Sequence, residues 1–294
     1  LLFSFLLLLS IGTPVAWSII ISSLFTLFVS VPFLPALTTI SQRMATGIDS
    51  FALLAIPFFI LSGELMNSGG VAHRLVAFAK TLVGFLPGGL ALINIISAML
   101  MGSVAGSAMA SASAMGSILG PEMEKEGYSR GFGVAINITS ATTGLVIPPS
   151  NILIVYSLAS GGASIAALFL AGYIPGILTG LFLMIVAMLW AKKKNFKTGK
   201  REPLKKVLNS FVRAFPSLML LIVVIGGIVS GVFTATEASA IAVIYTLVLG
   251  FFYKEITLKN LPSILLKSSI TTAIVMFLIG ASMSMSWVLS FENI

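Results

Sequence analysis

From Thr81 to Pro121 the chain carries no charged side chain across 41 residues, and from Gly131 to Ala191 none across 61. A bilayer core about 30 Å thick takes about 20 apolar residues per helical crossing. The first run therefore holds two crossings, or one crossing and a re-entrant hairpin. The second holds two crossings and some broken backbone. Composition agrees, with 57% hydrophobic and 9% charged residues against about 25% charged in a soluble domain. Water is not the main solvent of this chain.

The sequence contains no cysteine and one histidine, which excludes disulfides, thiolate chemistry and the usual Cys/His zinc site. The net charge of +8 does not form a nucleic-acid face, and no nucleic-acid partner is expected. Eight of the seventeen basic residues fall in KKKNFKTGKREPLKK, residues 192–206, which reads as a cytoplasmic loop under the positive-inside rule. The opening residues lack the basic flank and cleavage site of a signal peptide, so residues 1–31 are expected to form a first transmembrane helix. The chain opens without Met and is expected to start inside a longer product. A kinked or tilted span is expected at 51–66 together with the residues before it, with Pro57 and Gly63 inside it. Further apolar runs lie at 214–232, 238–253 and 268–291.

Helix breakers are frequent. Pro87-Gly88-Gly89, Pro148-Pro149 and Pro175-Gly176 are each expected to interrupt an apolar segment. Unsatisfied backbone groups cost several kcal/mol each in lipid, so such breaks persist only under protein or beside a water-filled cavity. The pattern favours a transporter body over a passive anchor. GTPVAWSII (12–20) and FTATEASAIAV (233–243) also echo each other, as the starts of two structural repeats would.

Two segments stand out. GSVAGSAMASASAMGS, residues 102–117, has thirteen Gly, Ala or Ser among sixteen residues. Its period of four fits a small-residue packing seam. Its setting, closed by Gly120-Pro121, fits a hairpin whose arms reach halfway through the core and whose tip lies near Gly102–Ser107. The second segment is TSATTGLVIPPSNILIVY, residues 139–156. Two adjacent prolines push the preceding residues out of helix, so a helix should stop near Gly144–Ile147 and resume at Ser150, with Ser150 and Asn151 as caps. Helix C-terminal carbonyls and hydroxyls can coordinate Na⁺, while half-helix N-termini attract a carboxylate. The expected Na⁺ set is Gly102, Ser103, Gly106, Gly144 and Pro148, partly through backbone carbonyls. The expected substrate contacts are Ser107, Ser150 and Asn151. No cofactor is expected beyond the coupling ion.

The landmarks FALLAIPFFILSGELMNSGG (51–70), LVGFLPGGLALINI (82–95), GSVAGSAMASASAMGSILGPEM (102–123), GLVIPPSNILIVYSLA (144–159), LFLAGYIPG (168–176) and GVFTATEASAIAVIY (231–245) resemble the large membrane subunit, DctM-like, of the tripartite ATP-independent periplasmic (TRAP) transporters. That resemblance implies an all-α polytopic membrane protein of the ion transporter superfamily type. Its two inverted repeats each hold a re-entrant hairpin and a discontinuous helix. It implies first-repeat scaffold helices at 1–80 and a transport region at 81–190, with a hairpin at about 89–121 and a broken helix at about 131–158. A basic cytoplasmic loop at 191–213 and an incomplete second repeat at 214–294 follow. It further implies Na⁺-coupled import of a carboxylate or sugar acid across the bacterial inner membrane by an elevator motion against scaffold helices 1–31 and 214–250. The implied partners are a periplasmic substrate-binding protein and a small four-helix membrane subunit, within a lipid bilayer. Members of the family usually exceed 400 residues, so a second hairpin is expected to follow Ile294.

Single residues carry less. His73 and Arg74 read as interfacial, Glu64 as structural or functional, and Glu237 and Asp49 as first-turn residues that complement a helix dipole. Glu122, Glu124, Lys125 and Glu126 read as a solvated loop. A membrane enzyme would need a nucleophile with its base, or paired acids, and no such set is seen. The alternatives that stay open are a stand-alone cation/carboxylate symporter and a non-transporting scaffold subunit.

Overall fold

The computed structural model describes residues 1–194, 196, 199 and 201–294. Lys197 and Lys200 of the basic stretch lie outside the described residues. The helices run in the order α1 (Leu2–Ser10), α2 (Val15–Leu27), α3 (Phe33–Ile48), α4 (Ala55–Ser68), α5 (Val71–Val83), α6 (Gly89–Ala105) and α7 (Ala108–Lys125). They continue as α8 (Arg130–Ala141), α9 (Thr143–Val146), α10 (Asn151–Ala159), α11 (Ile165–Lys193), α12 (Leu204–Val229), α13 (Ala235–Phe252) and α14 (Leu261–Phe291). Among the described residues five helical stretches are long and apolar enough to cross a membrane: 51–68, 165–193, 204–229, 235–252 and 261–291. A sixth candidate is a bent pair, Arg130–Val146 with Asn151–Ala159, at 51°. The fold is all-α and polytopic, with discontinuous helices.

Several expectations change. Residues 1–31 are not one helix. Gly12, at φ +88°, ends α1, with Thr13 N–H donating to Leu8 O at 3.1 Å and Gly12 N–H to Leu9 O at 2.9 Å. That pair of bonds is a Schellman stop, and Pro14 just beyond it starts α2. Pro175 does not interrupt its segment, because α11 is continuous from Ile165 to Lys193. The proline removes one backbone donor, and neighbouring protein or a side chain can re-satisfy the freed groups in a membrane helix. Nor does Gly120-Pro121 close the hairpin, since α7 runs on to Lys125. Asp49 follows α3 as its C-terminal cap residue rather than opening a helix.

The chain divides into two units, residues 1–53 with 269–294, and residues 54–268. In the first, Ile19, Ile20, Leu27, Ile40 and Val288 form a buried core. Trp17 packs on Phe277 at 5.4 Å between ring centres, and Met283 covers Gly47. In the second, α6 is buried on nearly every face, including Leu92, Asn94, Ile95, Ala98 and Met101. At the base of α6 an aromatic knot joins Tyr128 to Phe196 at 4.1 Å and Phe132 to Trp190 at 5.8 Å. Burial, followed by the charge of Glu126, pushes the Tyr128 phenol up to about 12. At the start of α13, Thr234 and Glu237 form a reciprocal capping box: Thr234 N–H donates to Glu237 Oε2 at 2.8 Å, and Glu237 N–H to Thr234 Oγ1 at 3.3 Å.

Candidate functional site

The small-residue segment folds as two antiparallel arms, α6 and α7, joined by two residues. Gly106 takes φ +60°, ψ 18°, a left-handed conformation that glycine adopts at little cost. Its N–H donates to Gly102 O at 2.8 Å. Ser107 is extended and caps α7, its hydroxyl accepting from Ala110 N–H at 3.3 Å. Ser111 Oγ, fully buried, donates across the turn to Ala98 O at 3.1 Å. The negative end of one helix dipole and the positive end of another therefore meet at Gly106–Ser107. At 1.5 Å per residue the arms, of 17 and 18 residues, are about 25–27 Å long. That exceeds the half-core length expected from the sequence, because α6 begins directly at Gly89 and α7 continues past Pro121.

The second break lies where the prolines predict it. The helix ends at Val146, Ile147 is extended at φ −74°, ψ 122°, and the chain re-enters helix at Asn151. The Pro148–Pro149 bond is cis. Ser150 does not cap α10 with its side chain. Its hydroxyl turns back and donates to Leu145 O, an orphan carbonyl at the end of the preceding half-helix. Asn151 Oδ1 is buried and accepts no hydrogen bond among the described residues.

These two breaks touch. A Cβ built on Gly144 would lie 2.5 Å from Gly102 Cα, and one on Gly106 would lie 2.9 Å from Pro149 O. Gly102, Gly106 and Gly144 thus have their backbones pressed against the facing segment, with Ser107, Pro148, Ser150 and Asn151 adjacent in sequence to these contacts. Ser103 is buried on the same turn of α6, and its Oγ donates to Leu100 O at 2.8 Å. Its oxygen lone pairs stay available to a further partner. Phe59 of α4, Leu220 and Val224 of α12, and Ala242 of α13 gather over Val104 and Pro149. The pair of breaks lies under an apolar collar.

The frame around this pair is not visible in the sequence. Asn94 Oδ1 accepts from Ser140 Oγ at 3.0 Å, both residues being buried, and Asn137 Nδ2 donates to Ala112 O at 2.8 Å. These bonds tie both hairpin arms to α8. On the other side, Gly172, Gly176 and Gly180 of α11 lie against Val146 O, Ile147 and Met99 respectively. Their i, i+4, i+8 spacing is visible in the sequence as a small-residue stripe, whereas its partners are not. The N–H of Ile147 donates to Thr143 O at 2.9 Å, so the first half-helix is closed by its own backbone.

The geometry supplies two opposed half-helix ends, closely packed glycines and a buried side-chain oxygen without a donor. Helix C-terminal carbonyls favour positive charge nearby and helix N-termini favour negative charge. Comparison with known proteins places the whole chain, independently of this geometry. The chain is 54% identical over 98% of its length to YgiK of Salmonella typhimurium, an uncharacterised protein, of which it covers 66%. It is 38% identical over 84% of its length to the C4-dicarboxylate TRAP transporter large permease protein DctM of Pseudomonas aeruginosa, covering 58% of that protein. It is 37% identical over 100% of its length to the sialic acid TRAP transporter large permease protein SiaM of Vibrio cholerae, covering 68% of that protein. The chain therefore spans between 58% and 68% of the length of these relatives. The family described as the DctM component of the tripartite ATP-independent periplasmic transporter matches residues 2–294, and the chain belongs to that family.

Proposed function

We propose that this chain is a membrane permease component of a secondary transporter rather than an enzyme. It imports a small carboxylate or sugar acid across the bacterial inner membrane, coupled to Na⁺. The substrate arrives from a periplasmic binding protein, and the permease works with a small four-helix membrane subunit. The observation that carries this reading is the contact of the two breaks beside Asn151 Oδ1, which has no hydrogen-bond partner among the described residues. A buried oxygen without a donor is costly, and a bound cation would offset that cost.

In this reading Asn151 joins Gly102, Ser103, Gly106, Gly144 and Pro148 as a cation ligand rather than a substrate contact. Ser107 and Ser150 remain near the substrate. A neutral oxygen cage suits a monovalent cation better than a divalent one, which recruits carboxylates. The carboxylate class is favoured because the relatives named for a C4-dicarboxylate and for sialic acid both act on carboxylates.

Uptake by proteoliposomes containing the full-length transporter and its small subunit tests the proposal. Candidate acids are offered with and without their binding proteins, and with and without an inward Na⁺ gradient. Accumulation that needs both the gradient and the binding protein is expected. Accumulation without a binding protein would favour a stand-alone symporter, and none for any acid with any gradient would favour a scaffold role.

A further inference from the structure

Away from the two breaks, a cleft of about 820 Å³ opens between the end of α4, the start of α5, α12 and the end of α13. Its level in the membrane follows from the sequence. On α12 Arg213 is the last charged residue before 23 uncharged ones, 214–236. On α13 the apolar run ends at Tyr253, with Lys254 and Glu255 directly after it. The cleft therefore lies where apolar spans meet water, at headgroup depth. Val212 and Phe252 line it and expose 60% and 78% of their surfaces, as side chains facing acyl chains do.

Arg74 and Tyr253 are held in the wall of the cleft, and Arg213 and Glu255 are exposed at its mouth. Arg74 is fixed, its Nη1 donating to Gly70 O at 2.9 Å and its guanidinium lying 3.6 Å above the Tyr253 ring. One of its five N–H donors is used in that bond. Arg213 makes no ion pair among the described residues. The Tyr253 hydroxyl is buried and has no hydrogen-bond partner among them. Two guanidiniums form a donor set that matches phosphate oxygens.

The same cleft holds one carboxylate. A Cβ on Gly70 would meet Arg74 Nη1 at 2.8 Å and Glu255 Cδ at 3.1 Å, so the two side chains flank one point. No ion pair of 4.0 Å or less joins them among the described residues. An acid in this position repels a headgroup that is only anionic. It would instead pair with a primary ammonium placed a short distance from a phosphate. We propose that this cleft binds the phosphoethanolamine headgroup of a membrane phospholipid. Arg74 and Arg213 hold the phosphodiester, Glu255 holds the ammonium, and the acyl chains run over Val212 and Phe252. This site stands on the membrane-spanning fold and is independent of the transported substrate.

Native mass spectrometry of the delipidated full chain tests the site, with dioleoyl phosphatidylethanolamine, phosphatidylglycerol and phosphatidylcholine titrated separately. Phosphatidylethanolamine is expected to bind most tightly. Glu255→Gln should weaken it roughly tenfold, the scale of one charge-assisted hydrogen bond, and abolish its advantage over phosphatidylglycerol. Arg213→Gln should weaken both lipids. Lys259→Gln, an exposed charge change outside the cleft, should weaken neither. Unchanged binding in both Glu255→Gln and Arg213→Gln would overturn the proposal, as would a preference for phosphatidylglycerol. Displacement of the lipid by inorganic phosphate at equal concentration would also overturn it, since the site would then take a free anion.

Discussion

Gly102 and Gly144, 42 positions apart in sequence, meet backbone to backbone: a Cβ on Gly144 would stand 2.5 Å from Gly102 Cα. This contact brings the last turn of the first hairpin arm against the half-helix that precedes the prolines. Close packing and the meeting of the helix ends are here one event, because the glycines that seal the helices also bring the two sets of helix ends together.

Gly144→Ala should therefore destabilise the protein by about 1–3 kcal/mol, the usual cost of overpacking, and Gly102→Val by more. Gly120→Ala supplies the contrast, since a Cβ there meets nothing within 4 Å. Thermal unfolding in detergent should show a lower melting temperature for the first two and none of that loss for the third.

The Asn94–Ser140 hydrogen bond joins the first hairpin arm to the helix that carries the second break. A double-mutant cycle with Asn94→Ala and Ser140→Ala should give a coupling of about 1 kcal/mol. Additive effects on stability would mean that the two helices are held by packing alone.

Ser150 spends its hydroxyl on Leu145 O across the second break. Ser150→Ala leaves that part-buried carbonyl without its donor, a loss of about 1 kcal/mol. Amide hydrogen exchange should become faster in 143–154 and stay unchanged in α13.

Lys205→Cys probes the sidedness of the basic stretch, in a chain that has no cysteine of its own. An impermeant thiol reagent should label it only after the cytoplasmic side is exposed. Labelling of intact cells from the periplasm would reverse the orientation read from the lysines.

What the sequence made legible was local chemistry. Two adjacent prolines remove two backbone donors, so the break at 147–150 needed no knowledge of neighbours. The hairpin tip was legible as a stretch, Gly102–Ser107, within which the turn falls at Gly106. The stop at Gly12, two residues before Pro14, was equally local, yet it was hidden by the apolar run around it. Pro175 misled for the opposite reason: the same residue type ends one helix and is carried inside another, according to what packs beside it. Asn94, Asn137, Ser140 and the α11 glycines were not legible, since their roles depend on which helices meet, and hydrophobic period carries no record of partners. The same limit applies to Asn151. Its position after the prolines suggested a cap or a substrate contact, and only the surroundings reveal an oxygen without a donor.

If the paired breaks hold the coupling cation, the Na⁺ dependence of uptake by the reconstituted full-length transporter, normalised to folded protein, reads it directly. Asn151→Ala and Ser103→Ala should each raise the Na⁺ concentration for half-maximal uptake, Asn151→Ala by roughly tenfold, the scale of one lost contact to a charge. Gly106→Val, which drives a side chain towards Pro149 O, should raise it further, and Gly120→Ala should leave it unchanged. If all three site variants lower only the amount of folded transporter and the Na⁺ curve stays where it was, the breaks form a packing seam and the cation lies elsewhere.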